Sequence, residues 1–252
     1  MDLGLRDRVY LVTGASAGLG LASATALVAD GAKVVICSRH QERVDAAVAS
    51  LGGAGHACGL ALDLADQASA QRLVDTAADT FGRLDGAVLS VGGPPAGGVG
   101  SVEDEVWRSA FESVFLGPLR VARAVLEYDD AMAVTFVLST SVRAPVANLG
   151  ISNALRPGLA GAAKSLADEF GPRGSRVLAV LPGRILTDRI TELESAAPDP
   201  VALRASVTAQ IPLGRYGEPA ELGRVAAFLV SPAASYLTGF AVPVDGGLTR
   251  FF

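Results

Sequence analysis

The sequence predicts an α/β protein in which a doubly wound, seven-stranded parallel sheet carries helices on both faces. Short apolar segments alternate along the chain with helical segments of roughly 10–15 residues, which is the pattern of repeated strand–helix–strand units. The apolar segments are continuous runs, such as KVVIC at 33–37, as expected for strands that helices bury on both sides. No linker, repeat or low-complexity tract divides the 252 residues, so we expect a single domain over residues 1–252.

The first half of the chain predicts four strands and three helices. Strands are expected at residues 8–12, 33–37, within 55–62 and at 84–90, because these segments are rich in Val, Ile and Leu. Helices are expected at residues 19–29, 41–51 and 67–81, where apolar residues recur three and four positions apart, as Val44 and Val48 do.

The second half continues this alternation and ends with a longer irregular segment. It predicts helices at 102–127, up to about Phe170 and at 219–229, with strands at 133–138, 176–181 and 241–244. A loop of glycine and proline residues at 92–100 follows the fourth strand, at the sheet edge where ligands bind in such folds. Long irregular segments of compact domains are often functional, so we expect residues 183–215 to form a lid over a substrate.

Composition excludes several functional classes. A hydrophobic fraction of 50% with 19% charged residues excludes a disordered chain. A net charge of −5 without a basic block argues against nucleic acid as a partner. The two His and two isolated Cys predict neither a metal site nor a disulfide framework. Because the chain has no long apolar run and no apolar signal region at its start, we expect a cytoplasmic protein that does not enter a membrane.

The turn between the first strand and the first helix predicts a phosphate-binding loop. It reads TGASAGLG at 13–20 and contains Gly14, Ser16, Gly18, Leu19 and Gly20. The first glycine allows a tight turn, the second lets backbone N–H groups approach a pyrophosphate, and the third lets helix and strand pack closely. The anion would lie on the N-terminus of the helix, where free N–H groups favour negative charge.

Four segments together resemble the short-chain dehydrogenase/reductase family, and most closely its β-ketoacyl-carrier-protein-reductase-like subgroup. They are TGASAGLG at 13–20, Asp63-Leu64 after the third strand, Pro182-Gly183 with Thr187 after the sixth, and the tail at 211–247. The resemblance implies a single Rossmann domain that binds NAD or NADP, with Ser90 and Gly92 also beside the cofactor. It further implies a homo-oligomer, either tetramer or dimer, formed through the helix with Gly158 and the helix at 102–127.

The end of the second strand bears on which nucleotide is bound. It reads Ser38-Arg39, and no carboxylate follows until Glu42. A carboxylate there would hydrogen-bond a ribose 2′-hydroxyl, whereas a hydroxyl followed by a guanidinium suits a 2′-phosphate. The residues favour NADP over NAD, although Arg39 could also be a solvated residue at the start of a helix. By resemblance, Asp63 and Leu64 lie on the adenine side.

The resemblance also identifies the catalytic positions, and three of the four differ from the family. The family's Ser, which polarises the substrate carbonyl, corresponds to Ser139. Its Tyr, which exchanges a proton with the substrate, falls at Ser152, its Lys at Arg156, and its Asn at Val114. The only two lysines of the chain, Lys33 and Lys164, each follow an Ala by four residues, so no Tyr-x-x-x-Lys exists in any register.

Pro157 is expected to start a helix or to kink one. The residue before a proline is pushed away from helical backbone angles, and proline is well tolerated in the first helical turn. Either arrangement would move Arg156 away from the place where the family's Lys points.

These residues leave two hypotheses of different classes open. The first is an NAD(P)-dependent oxidoreductase, with NADPH favoured, that acts on a small ketone, alcohol or acyl thioester and has an atypical proton donor. Its proton would come from Ser152 or water, while Ser139 stabilises the oxyanion and Arg156 supplies fixed charge and contacts to the ribose. A variant of it is a substrate that needs no phenolic acid. The second is a non-catalytic nucleotide-binding protein that serves as a sensor or as an oligomer partner.

Overall fold

The computed structural model describes residues 2–195 and 197–250, and it contains one seven-stranded parallel sheet. The strand order is β3-β2-β1-β4-β5-β6-β7, and every neighbouring pair is parallel. The strands are β1 Val9–Thr13, β2 Lys33–Ser38, β3 Ala57–Ala61, β4 Gly86–Leu89, β5 Ala133–Val137, β6 Arg176–Pro182 and β7 Ala241–Val244. The predicted fold class is confirmed, and the chain reverses its winding direction between β1 and β4.

Helices cover both faces of the sheet, which explains why the strands are apolar throughout. They are α1 Gly18–Ala29, α2 Gln41–Ser50, α3 Ser69–Phe81, α4 Asp104–Ala110, α5 Gly117–Tyr128, α6 Gly150–Phe170, α7 Asp188–Ser195, α8 Pro200–Thr208 and α9 Pro219–Val230. One buried apolar cluster joins the sheet to α3, α5 and α6, and a second joins its other face to α1, α2 and α9. None of these helices has the length and apolar character needed to cross a membrane.

The long helix predicted at 102–127 is present, from Asp104 to Tyr128, but it is not α-helical throughout. A π-helical turn, Phe111–Leu116, lies between α4 and α5. Immediately after this turn, Gly117 packs against the backbone of Leu64, where a Cβ atom would lie 2.6 Å from the carbonyl oxygen. Val114, at the position where the family has its Asn, is buried inside the π-helical turn.

The expectation that a helix starts at Pro157 is also wrong, because α6 runs from Gly150 to Phe170 with this proline inside it. The start of α6 is fixed upstream by Asn153, whose side-chain amide accepts from the Val146 N–H and donates to the Val146 carbonyl, both at 2.9 Å. These contacts and the burial of Ile151 and Leu159 override the local preference of the residue before proline. A bend at Pro157 remains a prediction.

The segment at 183–215, which the sequence predicts to be irregular, contains two short helices, α7 and α8. The Asp199 carboxylate caps α8 by accepting from the Ala202 N–H at 2.9 Å. A short bridge between Ile185 and Gly217 ties the two ends of the segment together. The segment thus leaves the carboxyl end of β6 and returns to the same region.

Candidate functional site

Two adjoining cavities occupy the carboxyl edge of the sheet around the point where its winding reverses. The inner cavity contains Ser139, Ser152 and Arg156 and has a volume of about 580 Å³. The outer cavity contains Ser38, Arg39 and Asp63 and has a volume of about 1160 Å³. The two share a wall that includes Gly14, Ser16, Ser90 and Gly92, so they form one groove.

The structure brings every residue of the predicted site to this groove. The inner cavity is lined by Gly14, Ser16, Gly18, Leu19, Gly20, Ser90, Gly92, Ser139, Ser152, Arg156, Pro182, Gly183 and Thr187. The outer cavity adds Ser38, Arg39, Asp63 and Leu64. The strand ends explain this convergence, since the carboxyl ends of parallel strands meet at one edge of the sheet.

The loop after β1 has the geometry of an anion cradle. Gly14 and Gly18 adopt φ of 57° and 55°, which side chains other than glycine rarely adopt. A Cβ on Gly14 would lie 2.7 Å from the Ser90 carbonyl oxygen, and one on Gly20 would collide with the Gly14 carbonyl. Helix α1 starts without a side-chain cap or an acidic residue in its first turn, so its first N–H groups are available to a ligand. The cradle therefore fits a pyrophosphate.

The outer cavity presents hydroxyl and guanidinium groups at the end of β2. The Ser38 hydroxyl is buried and has no hydrogen-bond partner among the described residues. Arg39 lies beside it, and Arg43 from α2 lines both cavities. Arg43 was not predicted from the sequence; it lies in the first turn of α2, shortly after Arg39. On the opposite wall, the Asp63 carboxylate accepts from the Ala65 N–H at 2.9 Å.

A cluster of serine hydroxyls follows β5 in the inner cavity. Ser139 caps a short 3₁₀ turn, Thr140–Val142, by accepting from the Ser141 N–H at 3.1 Å. The buried Ser152 hydroxyl lies 3.2 Å from the Ser141 hydroxyl, and either of these two can donate. Ser141 was missed by the sequence analysis, because only the folded chain brings it against α6. Of these three serines, Ser139 and Ser152 line the cavity and Ser141 does not.

Arg156 is a buried cation without an acidic partner in the described part of the chain. Only 4% of its surface is exposed. Its Nη1 donates to the Val137 carbonyl at 2.9 Å, whereas its Nε has no hydrogen-bond partner. Burial lowers the pKa of this guanidinium to about 10, because the surroundings disfavour the charged form. Helix α6 points Arg156 into the same cavity as Ser152, so the displacement expected from Pro157 does not take it out of the site.

No Tyr, Lys or His is among the described residues that line the inner cavity. Its ionisable lining residues are Arg43, Arg156, Arg184, Arg189, Asp188 and Glu192. Tyr216 is buried against α7 but lies outside both cavities, and its hydroxyl donates to the Glu194 carboxylate at 2.5 Å. Burial, together with this carboxylate, raises the pKa of Tyr216 to about 12. This tyrosine therefore does not replace the missing phenol.

The segment at 183–215 contacts the loop that follows β4. Arg189 of α7 donates from Nη2 to the Pro94 carbonyl at 2.9 Å, and its Nη1 pairs with Glu192 at 3.2 Å. The loop itself is held by Gly97, whose N–H donates to the Asn148 carbonyl at 2.8 Å. Residues of this segment and of the loop thus both line the inner cavity. In residues 2–195 and 197–250 no cluster of His, Cys, Asp and Glu could hold a metal ion.

The family comparison covers almost the whole chain. Residues 14–249 match the family model described as enoyl-(acyl carrier protein) reductase. The chain is 34% identical over 252 residues to the 3-oxoacyl-(acyl-carrier-protein) reductase of Escherichia coli (strain K12), with 98% of this chain and 99% of that protein covered. It is also 34% identical over 256 residues to the 3-oxoacyl-(acyl-carrier-protein) reductase of Synechocystis sp., with 98% and 99% covered.

Solved structures agree with this assignment. The L-sorbose reductase of Gluconobacter frateurii, complexed with NADPH and L-sorbose, superposes with a TM-score of 0.90 at 29% identity, and the match covers 100% of both chains. A short-chain dehydrogenase/reductase from Brucella melitensis gives a TM-score of 0.91 at 28% identity, again over 100% of both chains. From the fold, the glycine cradle and these matches it follows that the chain belongs to the short-chain dehydrogenase/reductase family.

Proposed function

We propose that this protein is an NAD(P)-dependent oxidoreductase that transfers a hydride between a nicotinamide cofactor and a small carbonyl or alcohol substrate. The observation that carries the proposal is the continuous groove, which runs from Arg39 past the glycine cradle at Gly14 to Ser139 and Arg156. Its length and polarity suit an extended dinucleotide with a substrate at one end. Two of the similar proteins are named as reductases of 3-oxoacyl carrier protein and of L-sorbose, and both of these substrates carry a ketone.

The residues that would hold the cofactor follow the groove in order. Asp63 and Leu64 would hold the adenine end, and Ser38, Arg39 and Arg43 the 2′-phosphate. The cradle would hold the pyrophosphate. The cradle and the nicotinamide end would use Gly14, Ser16, Gly18, Leu19, Gly20, Ser90, Gly92, Arg156, Pro182, Gly183 and Thr187. The unpartnered Ser38 hydroxyl supports NADPH over NADH, because a 2′-phosphate would supply the acceptor that this buried donor lacks.

We expect Arg39→Gln and Arg43→Gln each to weaken NADPH binding about tenfold and to leave NADH binding nearly unchanged. Each substitution removes a charge-assisted hydrogen bond to the 2′-phosphate, which NADH does not have. The measurement is fluorescence titration of both nucleotides against both variants. Arg123→Gln, an exposed substitution on α5, controls for the change in net charge. Tighter binding of NADH than NADPH to the unmodified protein would contradict the assignment.

The inner cavity can support reduction of a carbonyl with the groups it has. A bound NADPH supplies the hydride. The Ser139 hydroxyl would donate a hydrogen bond to the carbonyl oxygen, and the charge of Arg156 would stabilise the negative charge that develops on it. The alkoxide would then take its proton from Ser152 or from water, since a serine hydroxyl is a much poorer acid than a phenol. These groups fit a slow reductase, or a reductase whose substrate needs no phenolic acid.

NADPH oxidation measured against a panel of ketones, oxo acids and acyl thioesters tests this proposal. We expect Ser139→Ala to lower kcat about 10²- to 10³-fold for any substrate that is reduced, because it removes an oxyanion donor. NADPH affinity should stay within about threefold, since this hydroxyl faces the substrate. If Ser139→Ala leaves kcat unchanged, the Ser139 hydroxyl is excluded as the oxyanion donor.

A second candidate function is nucleotide binding without catalysis. It is favoured by the inner cavity itself, whose described lining residues include no Tyr, Lys or His. In that case the protein would bind NADPH with ordinary affinity, would reduce none of the substrates, and would act as a sensor or as a partner in an oligomer. Nucleotide binding combined with the complete panel separates the two candidates. If neither nucleotide binds, both are excluded.

We further propose that α6 packs against another copy of the chain in a homo-oligomer, a dimer or a tetramer. Gly161 supports this, because it is exposed and a side chain there would meet no atom within 4 Å. Its exposed neighbourhood on α6 includes Gly158 and the partly exposed Ala162, and small residues let helices approach closely.

We expect Gly161→Arg to lower the assembly mass measured by light scattering toward the 25.6 kDa of one chain. A single chain has space for the larger residue, whereas a close contact between copies of α6 does not. Gly161→Ala is the matched control, since it keeps the surface small and favours the helix by about 0.5–1 kcal/mol. An unmodified protein that is already monomeric, or an unchanged mass in the arginine variant, would refute this interface.

A further inference from the structure

Arg156 has hydrogen-bonding capacity that the protein does not use. Its Nη1 is satisfied by the Val137 carbonyl, but neither Nε nor Nη2 has a partner among the described residues. A guanidinium that is 96% removed from water and meets only one neutral acceptor is an unfavourable arrangement in a folded chain. The Nε and Nη2 atoms form one edge of the guanidinium fork, and such an edge matches the two oxygens of a carboxylate.

The charges around Arg156 reinforce this conclusion. The inner cavity is lined by four arginines and two acidic residues, in a protein whose net charge is −5. One of the acidic residues, Glu192, is already paired with Arg189, and the other, Asp188, lies exposed at the start of α7. The Arg184 side chain forms no hydrogen bond or ion pair with any described residue. The cavity lining thus carries more positive than negative charge, and neither Arg156 nor Arg184 is paired with an acidic side chain of the described residues.

An anion bound at Arg156 would lie close to the carbonyl that is reduced. Ser152 and Arg156 are four residues apart on α6 and therefore lie on the same face, one turn apart. Ser139 and Val137, the acceptor of Nη1, are two residues apart at the end of β5. A ligand whose carbonyl lies at the serines would therefore have its neighbouring atoms close to the guanidinium.

We propose that the inner cavity binds a small 2-oxo or 3-oxo acid, whose carboxylate pairs with the free edge of Arg156 while its carbonyl lies at Ser139 and Ser152. This inference rests on the proposed function, because it assigns a substrate class to the same site. It also gives a reason for the arginine at position 156: a fixed, forked cation that recognises a carboxylate, which a lysine ammonium recognises less specifically. A volume of about 580 Å³, part of it needed for the nicotinamide, leaves space for a short acid only.

Matched pairs of amides that differ in charge and hardly in shape test the proposal. Oxamate and malonamate mimic 2-oxo and 3-oxo acids, and oxamide and malonamide are their neutral counterparts. We would titrate all four by calorimetry into the protein, with and without saturating NADPH. We expect at least one anion to bind at least about tenfold tighter than its neutral counterpart. Arg156→Gln should bring that ratio close to one, and Arg156→Lys should retain part of it.

Each result decides the question. Equal binding of the anions and the neutral amides by the unmodified protein would overturn the proposal, whether or not any variant folds. A ratio that survives in Arg156→Gln would move the anion site away from Arg156 and overturn it as well. Arg123→Gln, which removes an exposed charge on α5, should leave the ratio unchanged. Failure of NADPH to bind would refute the proposed function, and the titration without nucleotide would still decide whether the anion site exists.

Discussion

Replacing Ser152 by tyrosine together with Arg156 by lysine is expected to raise kcat/KM for a neutral ketone about 10²-fold. The double variant restores a phenol of pKa near 10 and an ammonium four residues later, on the helix face that lines the inner cavity. General acid catalysis by such a group typically contributes 10²–10⁴-fold. The lower end is expected here, because Val114 is buried where the family has an Asn that supports the Lys. The tyrosine would also remove the contact between the hydroxyls of Ser152 and Ser141.

The matched control is Ser152→Phe with Arg156→Lys, which adds the same ring without its hydroxyl. It should give no gain, and both variants should still bind NADPH, which fluorescence titration checks. An equal gain in the phenylalanine variant would mean that packing, and not proton donation, limits the rate. No gain in the tyrosine variant, with nucleotide binding retained, would mean that the site has changed by more than its acid. That outcome would favour the non-catalytic candidate.

The sequence predicted the sheet and its helices well, because these elements depend on local patterns. Apolar runs rich in β-branched residues, such as the one at 33–37, favour buried strands, and the glycine turn at 13–20 lies between a strand and a helix as predicted. The π-helical turn Phe111–Leu116 could not be read in the same way. Six residues are too few for their wider period to be distinguished from that of an α-helix. Similarly, the bias before Pro157 is local, and the packing of α6 overrides it.

The candidate site shows the same division. Strand ends and glycines place the predicted residues at one sheet edge, and all of them line the groove. What sequence reasoning missed are contacts between distant segments. Arg189 reaches the Pro94 carbonyl across 95 positions, and Ser141 meets Ser152 only because a 3₁₀ turn folds back onto α6. That Arg156 meets no acidic partner in the part of the chain that the structure describes could likewise be recognised only from the fold.

Replacing Gly20 by alanine is expected to weaken NADPH binding more than about 100-fold and to lower the melting temperature. The new Cβ would collide with the Gly14 carbonyl oxygen and would lie 2.8 Å from the carbonyl carbon and 2.9 Å from the Ala15 Cα. All three are backbone atoms, so no side chain can move aside, and the cradle must shift relative to α1. Overpacking of this kind typically costs about 1–3 kcal/mol. For a chain of this size, that lowers the melting temperature by about 2–12 °C.

The matched control is a glycine-to-alanine substitution whose new Cβ contacts no other atom. A Cβ on Gly55, outside the groove, has no atom within 4 Å and no left-handed φ, so Gly55→Ala should keep both the NADPH affinity and the melting temperature. Titration and thermal unfolding of the two variants separate the collision from a general effect of adding a methyl group. Nucleotide binding that is unaffected by Gly20→Ala would mean that the loop after β1 does not hold the pyrophosphate. The cofactor would then have to lie elsewhere along the groove, and the roles proposed for Arg39 and Ser139 would lose their common basis.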